Sequence, residues 1–535
     1  MRNLRNAQPS PVAGPMSPEL LLAAGSRAID RLARIFELSR YFLLAFATAG
    51  YFINTSYRAQ RRQLWFDEIF TLYISRLPDL HSVWAACTSG TDFNPPLVYL
   101  MSRWSQSLLG PTELGLRMPE IIGFWVFCLC LYRFVSVRTS ALAGLIAMLY
   151  PLTTGGYWYA SEARPHGLIV GFFGVALVCW QALGDEPKRR WIALAGLASA
   201  LTCASLSHCF AFLAFIPLGI GELVRTIQRR HIDVGVWGAL LAPAAVSVAV
   251  VLPLISTITR TFKTGDFATS GDSIRGAWLL SFMTPLFALT PLLALLAAST
   301  AFPQIAEDAS DDRKRTFKWD ETAVLIALCC TPLFAFGVAR LGHSLLFARY
   351  SLITVAGVAC LIGAAAARRT FIGFLVLALI VYALYDSQVT FTASNTAQEP
   401  SAGIQIDTRP DAGTAAFDWT RRAAEGNDPI VVEPFRFIPK FYYAPDALRW
   451  RYVFLTPHLL VEGYQRLQKC CAAPGTVSTL NDFVAAHRGF YVFGTDHWSA
   501  EMADVFRAQG ATIGETACSS REGESCVVRV DYPPR

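Results

Sequence analysis

Apolar runs long enough to cross a bilayer recur through the first 390 residues, and this restricts the fold more than any other feature of the chain. A spanning helix needs about 20 predominantly apolar residues. By that ruler the spans fall at 40–57, 116–136, 139–158, 165–183, 191–208, 209–224, 234–254, 277–301, 321–340, 348–366 and 370–388, about eleven in all. Pro95–Leu109 is apolar too, but it is short and carries Arg103 and Gln106. It reads as a helix lying at the membrane surface. Charged residues make up 16% of the 535, against roughly 25% in a soluble domain, and the mean hydropathy is +0.37. The chain reads as a polytopic α-helical membrane protein.

The net charge of +6 reflects loop arginines facing one leaflet. No zinc spacing, no Walker or dinucleotide glycine motif and no basic–aromatic array accompanies it, so nucleic acid is not an expected partner. Of the thirteen cysteines, Cys128, Cys130, Cys179, Cys203, Cys209, Cys329, Cys330 and Cys360 lie in apolar spans and read as small hydrophobes. Residues 1–39 are polar and Arg-rich, without a cleavable signal, and read as a cytoplasmic segment before an uncleaved first span.

Orientation follows from the positive-inside rule. With a cytoplasmic N-terminus, the short cytoplasmic connections are Arg133–Arg138, Lys188-Arg189-Arg190, Arg225–His231, Arg313–Lys318 and Arg368-Arg369, each with at least two basic residues. Counting Pro95–Leu109 as a span would put these loops outside. The preferred topology sets Asp67-Glu68, Asn94-Pro95-Pro96, Arg117, Glu162-Ala163-Arg164 and Arg349-Tyr350 on one outer face, although only basic loops and span lengths were used to derive it. The membrane domain is expected over 40–390, with 58–115 as its first outer loop.

Beyond a linker at 391–414, the chain from 415 to 535 is polar and punctuated by Gly and Pro. Asp428–Val432, Trp450–Leu455, Gly489–Phe493 and Cys526–Val530 read as strands. Pro439–Tyr443 and Ala500–Gln509 read as helices, so a small α/β domain is expected on the periplasmic side. Cys518 and Cys526 are a plausible disulfide there. Cys470 and Cys471 are adjacent and are expected not to pair with each other.

Ionisable groups at a bilayer surface are functional candidates by default. Asp67 and Glu68 follow Leu64-Trp65-Phe66 directly. Either could serve as general base, as ligand to a divalent cation such as Mg or Mn, or as a structural partner. Arg117, Arg164 and Arg349 suit a phosphate, which guanidinium groups grip bidentately. The bland readings are that Glu162 and Arg164 pair with neighbours, that Arg117 snorkels, and that Asn94-Pro95-Pro96 is a turn. His166 and His208 lie near span ends and read as packing or capping groups, while His343 shares a loop with Arg340 and Arg349.

Trp65-Phe66-Asp67-Glu68, Asn94-Pro95-Pro96-Leu97-Val98-Tyr99, Leu116-Arg117-Met118-Pro119 and Tyr159-Ala160-Ser161-Glu162-Ala163-Arg164-Pro165-His166, in that order, resemble the GT-C membrane glycosyltransferases. The likeness is to the group related to protein O-mannosyltransferases and bacterial lipid A sugar transferases, and it is good over roughly 40–190. It implies a GT-C fold, a polyprenyl-phosphate-sugar donor and inversion at the anomeric carbon. It implies Asp67 as catalytic base with Glu68 beside it. Glu162, Arg164 and Arg117 would line the donor site, and Arg349-Tyr350 would contact the lipid phosphate. Asn94, His166 and His343 are acceptor-side candidates. The sequence departs from the family at His166, where a Tyr is usual, and Ser344-Leu345-Leu346 gives no acceptor signature.

The expectation is a bacterial inner-membrane glycosyltransferase, with a glycolipid or glycan such as a lipopolysaccharide component favoured over a protein as acceptor. The alternative is a transporter or flippase of lipid-linked sugars, which should show inverted repeats and broken helices.

Overall fold

The computed structural model describes residues 18–185, 188–264, 317–341, 347–367, 370–396, 426–456, 459–518 and 526–534. The expected span at 277–301, the linker at 391–414 beyond residue 396, the basic pair Arg368-Arg369 and His343 lie outside the described residues.

Helix α1 (Pro18–Leu38) turns at Ser39 into α2 (Arg40–Arg61). The first loop then forms three short helices, α3 (Phe66–Ser75), α4 (Leu80–Thr88) and α5 (Leu97–Leu109). The surface helix expected over Pro95–Leu109 is α5. The bundle continues with α6 (Glu113–Ser136), α7 (Ala141–Leu149), α8 (His166–Gly184), α9 (Arg190–Ser207), α10 (Phe215–Arg229) and α11 (Val234–Thr264). After the undescribed stretch come α12 (Trp319–Cys329), α13 (Thr331–Leu341), α14 (Thr354–Ala367) and α15 (Thr370–Thr396). Among the described residues, six helices are long and apolar enough to cross a membrane, or seven if α12 and α13, bent by 53°, count as one span. The protein is a multi-pass membrane protein.

Two expected spans have a different internal form. The span at 139–158 is α7 followed by 3-10 turns at Tyr150–Thr153 and Gly155–Ser161. Pro151 and Gly155-Gly156 interrupt the helix there, because proline lacks the amide donor and glycine is a poor helix former. The span at 321–340 breaks after Cys329, just before Pro332.

Helices α6 and α8 are held together by glycines. A Cβ on Gly123 would fall 2.6 Å from the Gly167 carbonyl oxygen, so their backbones touch without intervening side chains. At the end of the bundle away from the first loop, Arg138 grips Glu321 at 2.7–3.0 Å and Asp185 at 2.8 Å, and Arg225 bonds Asp320 at 2.6 Å. Arg117, near the start of α6, and Arg138, just past its end, are 21 residues apart, placing the two buried clusters roughly 30 Å apart.

The chain ends in a six-stranded sheet, β3-β2-β1-β4-β6-β5. Its strands are β1 (Ile430–Val432), β2 (Tyr452–Thr456), β3 (Thr476–Thr479), β4 (Gly489–Gly494), β5 (Thr512–Cys518) and β6 (Cys526–Asp531). The first four in spatial order are parallel, with Ile430 opposite both Tyr452 and Tyr491; β6 runs antiparallel to β4, and β5 antiparallel to β6. Helices α16 (Pro434–Tyr443), α17 (Leu459–Cys471), α18 (Leu480–Ala486) and α19 (Asp496–Ala508) connect the strands. One face packs Phe483, Phe490 and Phe506. The other face, with Phe437, Phe454 and Tyr464, shares a single core with Phe66, Ile69, Phe70 and Tyr99 of the first loop. Cys518 and Cys526 are bonded, and Cys470 and Cys471 are bonded to each other. The second pair contradicts the expectation: the chain leaves α17 at this point with Ala472 at φ 51°, in the left-handed region, instead of continuing the helix.

Candidate functional site

Helix α3 carries three side-chain stripes, as its period requires. Phe66, Phe70 and Tyr73 face the sheet domain, where α16 and α17 pack on α3. Asp67 and Thr71 face Arg164. Glu68 and Ser75 face α5 and α6, where Ser75 meets Gln106 and Arg103. The helix begins because Glu68, in its first turn, reaches back to the Trp65 amide at 3.2 Å, the reciprocal half of a capping box.

Glu68 is fully enclosed and fully engaged. Its oxygens accept from Arg117 Nε at 2.7 Å and Nη2 at 2.5 Å, and from the Ala163 amide at 2.7 Å. Burial pushes this carboxyl up, but the Arg117 guanidinium outweighs that and holds it below its ordinary value of 4.5. Arg117 spends its remaining donors on the carbonyls of Ala59 (2.5 Å), Arg62 (2.6 Å) and Gln63 (3.0 Å). It therefore joins the end of α2, the start of α3 and α6, with its donors turned to protein oxygens rather than to a phosphate. Nor does the arrangement fit a cation shared by Asp67 and Glu68, since Arg117 occupies the face of Glu68 that a metal would need. Among the described residues, Asp496, Cys518 and Cys526 also converge, but the two sulfurs are joined and are not thiolate ligands.

Asp67 is different. Its side chain is 24% exposed, and its nearest cationic atom is Arg164 Nε at 3.8 Å. It sits in the first turn of α3, where the helix dipole favours a carboxylate. Arg164 is clamped by Asp92, with Nη1 at 2.5 Å and Nη2 at 3.0 Å from its oxygens, and also donates to the Asp67 carbonyl at 3.3 Å. Asp92 accepts the Phe93 amide at 2.8 Å and the Asn94 amide group at 3.3 Å, which ties Asn94 into this cluster as a buried partner. Burial raises the Asp92 carboxyl, but the Arg164 charge overrides it and lowers it below the usual range.

The turn Glu162-Ala163-Arg164 lies across α3, closed by Arg164 N to Glu162 O at 2.7 Å and His166 N to Arg164 O at 2.6 Å. Glu162 is 2% exposed, and its Oε2 has no partner among the described residues. Burial, reinforced by the charges of Glu68 and Asp67, pushes its carboxyl up to about 7 against the pull of Arg62 and Arg349. Arg62 donates to the Ser161 carbonyl at 2.6 Å and lies over the Trp158 ring at 4.4 Å.

Beside this cluster is a mostly apolar pocket, lined in part by His166, His208, Phe210, Arg349, Tyr350 and Leu352. Tyr350 stacks on Phe210 at 3.9 Å. The Arg349 guanidinium lies 4.7 Å from the Phe347 ring centre. His166 lies between Tyr159 (5.0 Å) and His208 (5.6 Å), and so belongs to the Arg349 pocket. Of the residues singled out from sequence, Asp67, Glu68, Asn94, Arg117, Glu162, Arg164, His166, Arg349 and Tyr350 gather at this end of the bundle.

Sequence reasoning missed Asp92, whereas His208, read as a packing or capping group, does cap the 3-10 turn Cys209–Ala214. Asp92 stands two residues before Asn94-Pro95-Pro96, and the need of a buried arginine for a carboxylate was the signal that could have found it. His208 accepts the Phe210 amide on Nδ1 at 2.9 Å, which makes Nε2 its protonated nitrogen.

A helical membrane bundle with an ordered first loop and an appended sheet domain is the GT-C architecture. The particular likeness is to ArnT from Cupriavidus metallidurans. Its structure bound to undecaprenyl phosphate matches with a TM-score of 0.50 and 14% identity, covering 91% of this chain and 98% of that one. Its apo structure matches with the same TM-score and identity, covering 91% and 97%. The Archaeoglobus fulgidus oligosaccharyltransferase, in complex with zinc and sulfate, matches at TM-score 0.39 and 11% identity, covering 81% of this chain and 64% of that one. No protein-family model and no curated protein matches the sequence.

Proposed function

We propose that the protein is an inverting glycosyltransferase that moves one sugar from a polyprenyl-phosphate donor to an acceptor at the periplasmic face of a bacterial inner membrane. The observation that carries this reading is Asp67, a partly exposed carboxylate held between two buried arginine–carboxylate pairs and beside the Arg349 pocket. The fold shared with ArnT, which was crystallised with undecaprenyl phosphate, supports a lipid phosphate as the donor's carrier.

In this reading Asp67 takes the proton from the acceptor hydroxyl as its oxygen attacks the anomeric carbon. The bond from that carbon to the lipid phosphate breaks on the opposite face, which inverts the centre. Arg349, with Tyr350 beside it, receives the departing phosphate and stabilises its growing charge. Glu162, which feels the charges of both Asp67 and Arg349 and is raised to about 7, carries only part of a negative charge against the phosphate at neutral pH. Glu68–Arg117 and Asp92–Arg164 are positioning pairs that fix α3 and the Glu162 turn. A glycolipid or glycan is the favoured acceptor.

The bend between α12 and α13 favours a second reading, transport of lipid-linked sugars, because broken helices are a transporter feature. One experiment separates the two. Lipids and surface glycans are compared by mass spectrometry in cells lacking the protein and in cells complemented with wild type or Asp67→Asn. Transfer predicts a glycan short of one sugar and an accumulated donor, with Asp67→Asn failing to restore it because turnover drops by about 10²- to 10⁴-fold. Full restoration by Asp67→Asn would discard the base and leave transport.

A further inference from the structure

Helix α3 separates the surroundings of Asp67 into two sides. The Arg164 and Arg349 side belongs to the helical bundle, whereas the Phe66 side belongs to the C-terminal sheet domain. The sheet domain is fastened there by specific contacts. Tyr443 of α16 accepts the Leu64 amide at 2.8 Å and donates to Glu113 at 3.0 Å. At the start of the same helix, the ring of Phe435 lies 5.8 Å from that of Phe66, the residue before Asp67.

Phe435 is anomalous in this setting. Phe66, Phe437, Ile438 and Phe441 around it are at most 7% exposed, but Phe435 is 51% exposed. It touches the core through Phe66, the residue before Asp67, and leaves about half of its surface open to solvent. Arg436 follows it, braced by Glu433 at 3.1 Å and 28% exposed. In the same turn as Asp67, the indole N–H of Trp65 is closed off from water and has no partner among the described residues, a state that costs free energy until a ligand or movement satisfies it.

We propose that Phe435 is the acceptor-sugar platform of the enzyme: the C–H face of a pyranose stacks on its ring, which presents a hydroxyl of that sugar to Asp67, the neighbour of the Phe66 ring against which Phe435 lies. Carbohydrate rings present an apolar face that suits an aromatic surface, and their hydroxyls suit a flanking donor such as Arg436. Inversion requires acceptor and leaving phosphate to approach the anomeric carbon from opposite faces, so the acceptor platform has to be a group other than Arg349. Placing it on Phe435 also gives the sheet domain a part in choosing the acceptor. The inference rests on the transferase reading above.

The test uses the full chain in lipid nanodiscs. The donor probe is the polyprenyl-phosphate-sugar fraction, and the acceptor probe is the glycolipid extract, both from cells lacking the protein. Phe435→Ala is expected to raise the half-saturating acceptor concentration roughly tenfold, equivalent to about 1.4 kcal/mol, with the half-saturating donor concentration retained. Phe435→Trp, which keeps a stacking surface, is expected to restore wild-type values. Unchanged acceptor saturation in Phe435→Ala overturns the platform while leaving the transferase standing. An equal rise for donor and acceptor also overturns it, because a general loosening of α3 would act on both. Absence of sugar transfer by the wild-type chain overturns both this inference and the reading beneath it.

Discussion

Asp67 and Glu68 are neighbours with the same chemistry, yet the structure assigns them opposite responses to the loss of their charge. Glu68→Gln keeps the shape but turns one oxygen into an NH₂ facing a cation that also donates. Both Glu68 and Arg117 side chains are 0% exposed, with Nη2 at 2.5 Å from Oε2. Breaking a buried pair by removing one partner costs about 3–5 kcal/mol, because the other charge is left without compensation. At about 2 °C per kcal/mol for a large domain, the melting temperature should fall by about 6–10 °C. Asp67→Asn, at a 24% exposed site with no direct ion pair below 3.8 Å, should melt close to wild type while losing transfer. Thermal unfolding in detergent, read beside transfer, separates the two. The pH dependence gives a further check. Because the Glu68 carboxyl is held below 4.5 in the folded chain, its contribution is present above the unfolded value and lost as pH falls through the folded one. Wild type should therefore lose stability steeply below about pH 4.5, and Glu68→Gln should lack that component. A Glu68→Gln variant with wild-type melting and abolished transfer would refute the reasoning and make Glu68 a reacting group.

Two further predictions concern the donor side. Glu162 is raised to about 7 in the folded chain, so its stabilising contribution is present below the unfolded value near 4.5 and fades as pH rises through 7. A donor phosphate should consequently bind several-fold more weakly at pH 8 than at pH 6, and Glu162→Gln should remove that dependence; an unaltered profile would move the titration to another group. Arg349→Ala should weaken binding of polyprenyl phosphate about 10- to 100-fold, the loss of one charge-assisted contact. Unchanged affinity in a binding titration would place the phosphate elsewhere.

The sequence was most legible where the physics is local. Apolar length located most of the helices, and the strands at Ile430–Val432, Tyr452–Thr456, Gly489–Gly494 and Cys526–Asp531 stood out as β-branched and aromatic runs. The membrane-surface assignment of Pro95–Leu109 followed from its two polar residues, and the structure has a short helix there, α5. Partnerships across long separations were not legible. Glu68 and Arg117 are 49 positions apart, and Arg164 and Asp92 are 72. Charge and spacing identified the arginines but not whether a carboxylate already occupied them, so Arg117 read as a phosphate ligand when it is a clamp. Sheet order was equally hidden, because periodicity identifies strands without saying which are neighbours.

The three stripes of α3 have a consequence for how such a chain can change over generations. Residues that meet the donor side and residues that meet the sheet domain occupy different faces of one short helix. A substitution at Phe70 or Tyr73 acts mainly on the seam with the C-terminal domain, and one at Thr71 on its contacts with Arg164 and the Asp67 carbonyl. Under the proposed role of Phe435, the chemistry and the choice of acceptor would be inherited separately. A lineage could refit the seam residue by residue while Asp67 and its arginine neighbours pass through unaltered.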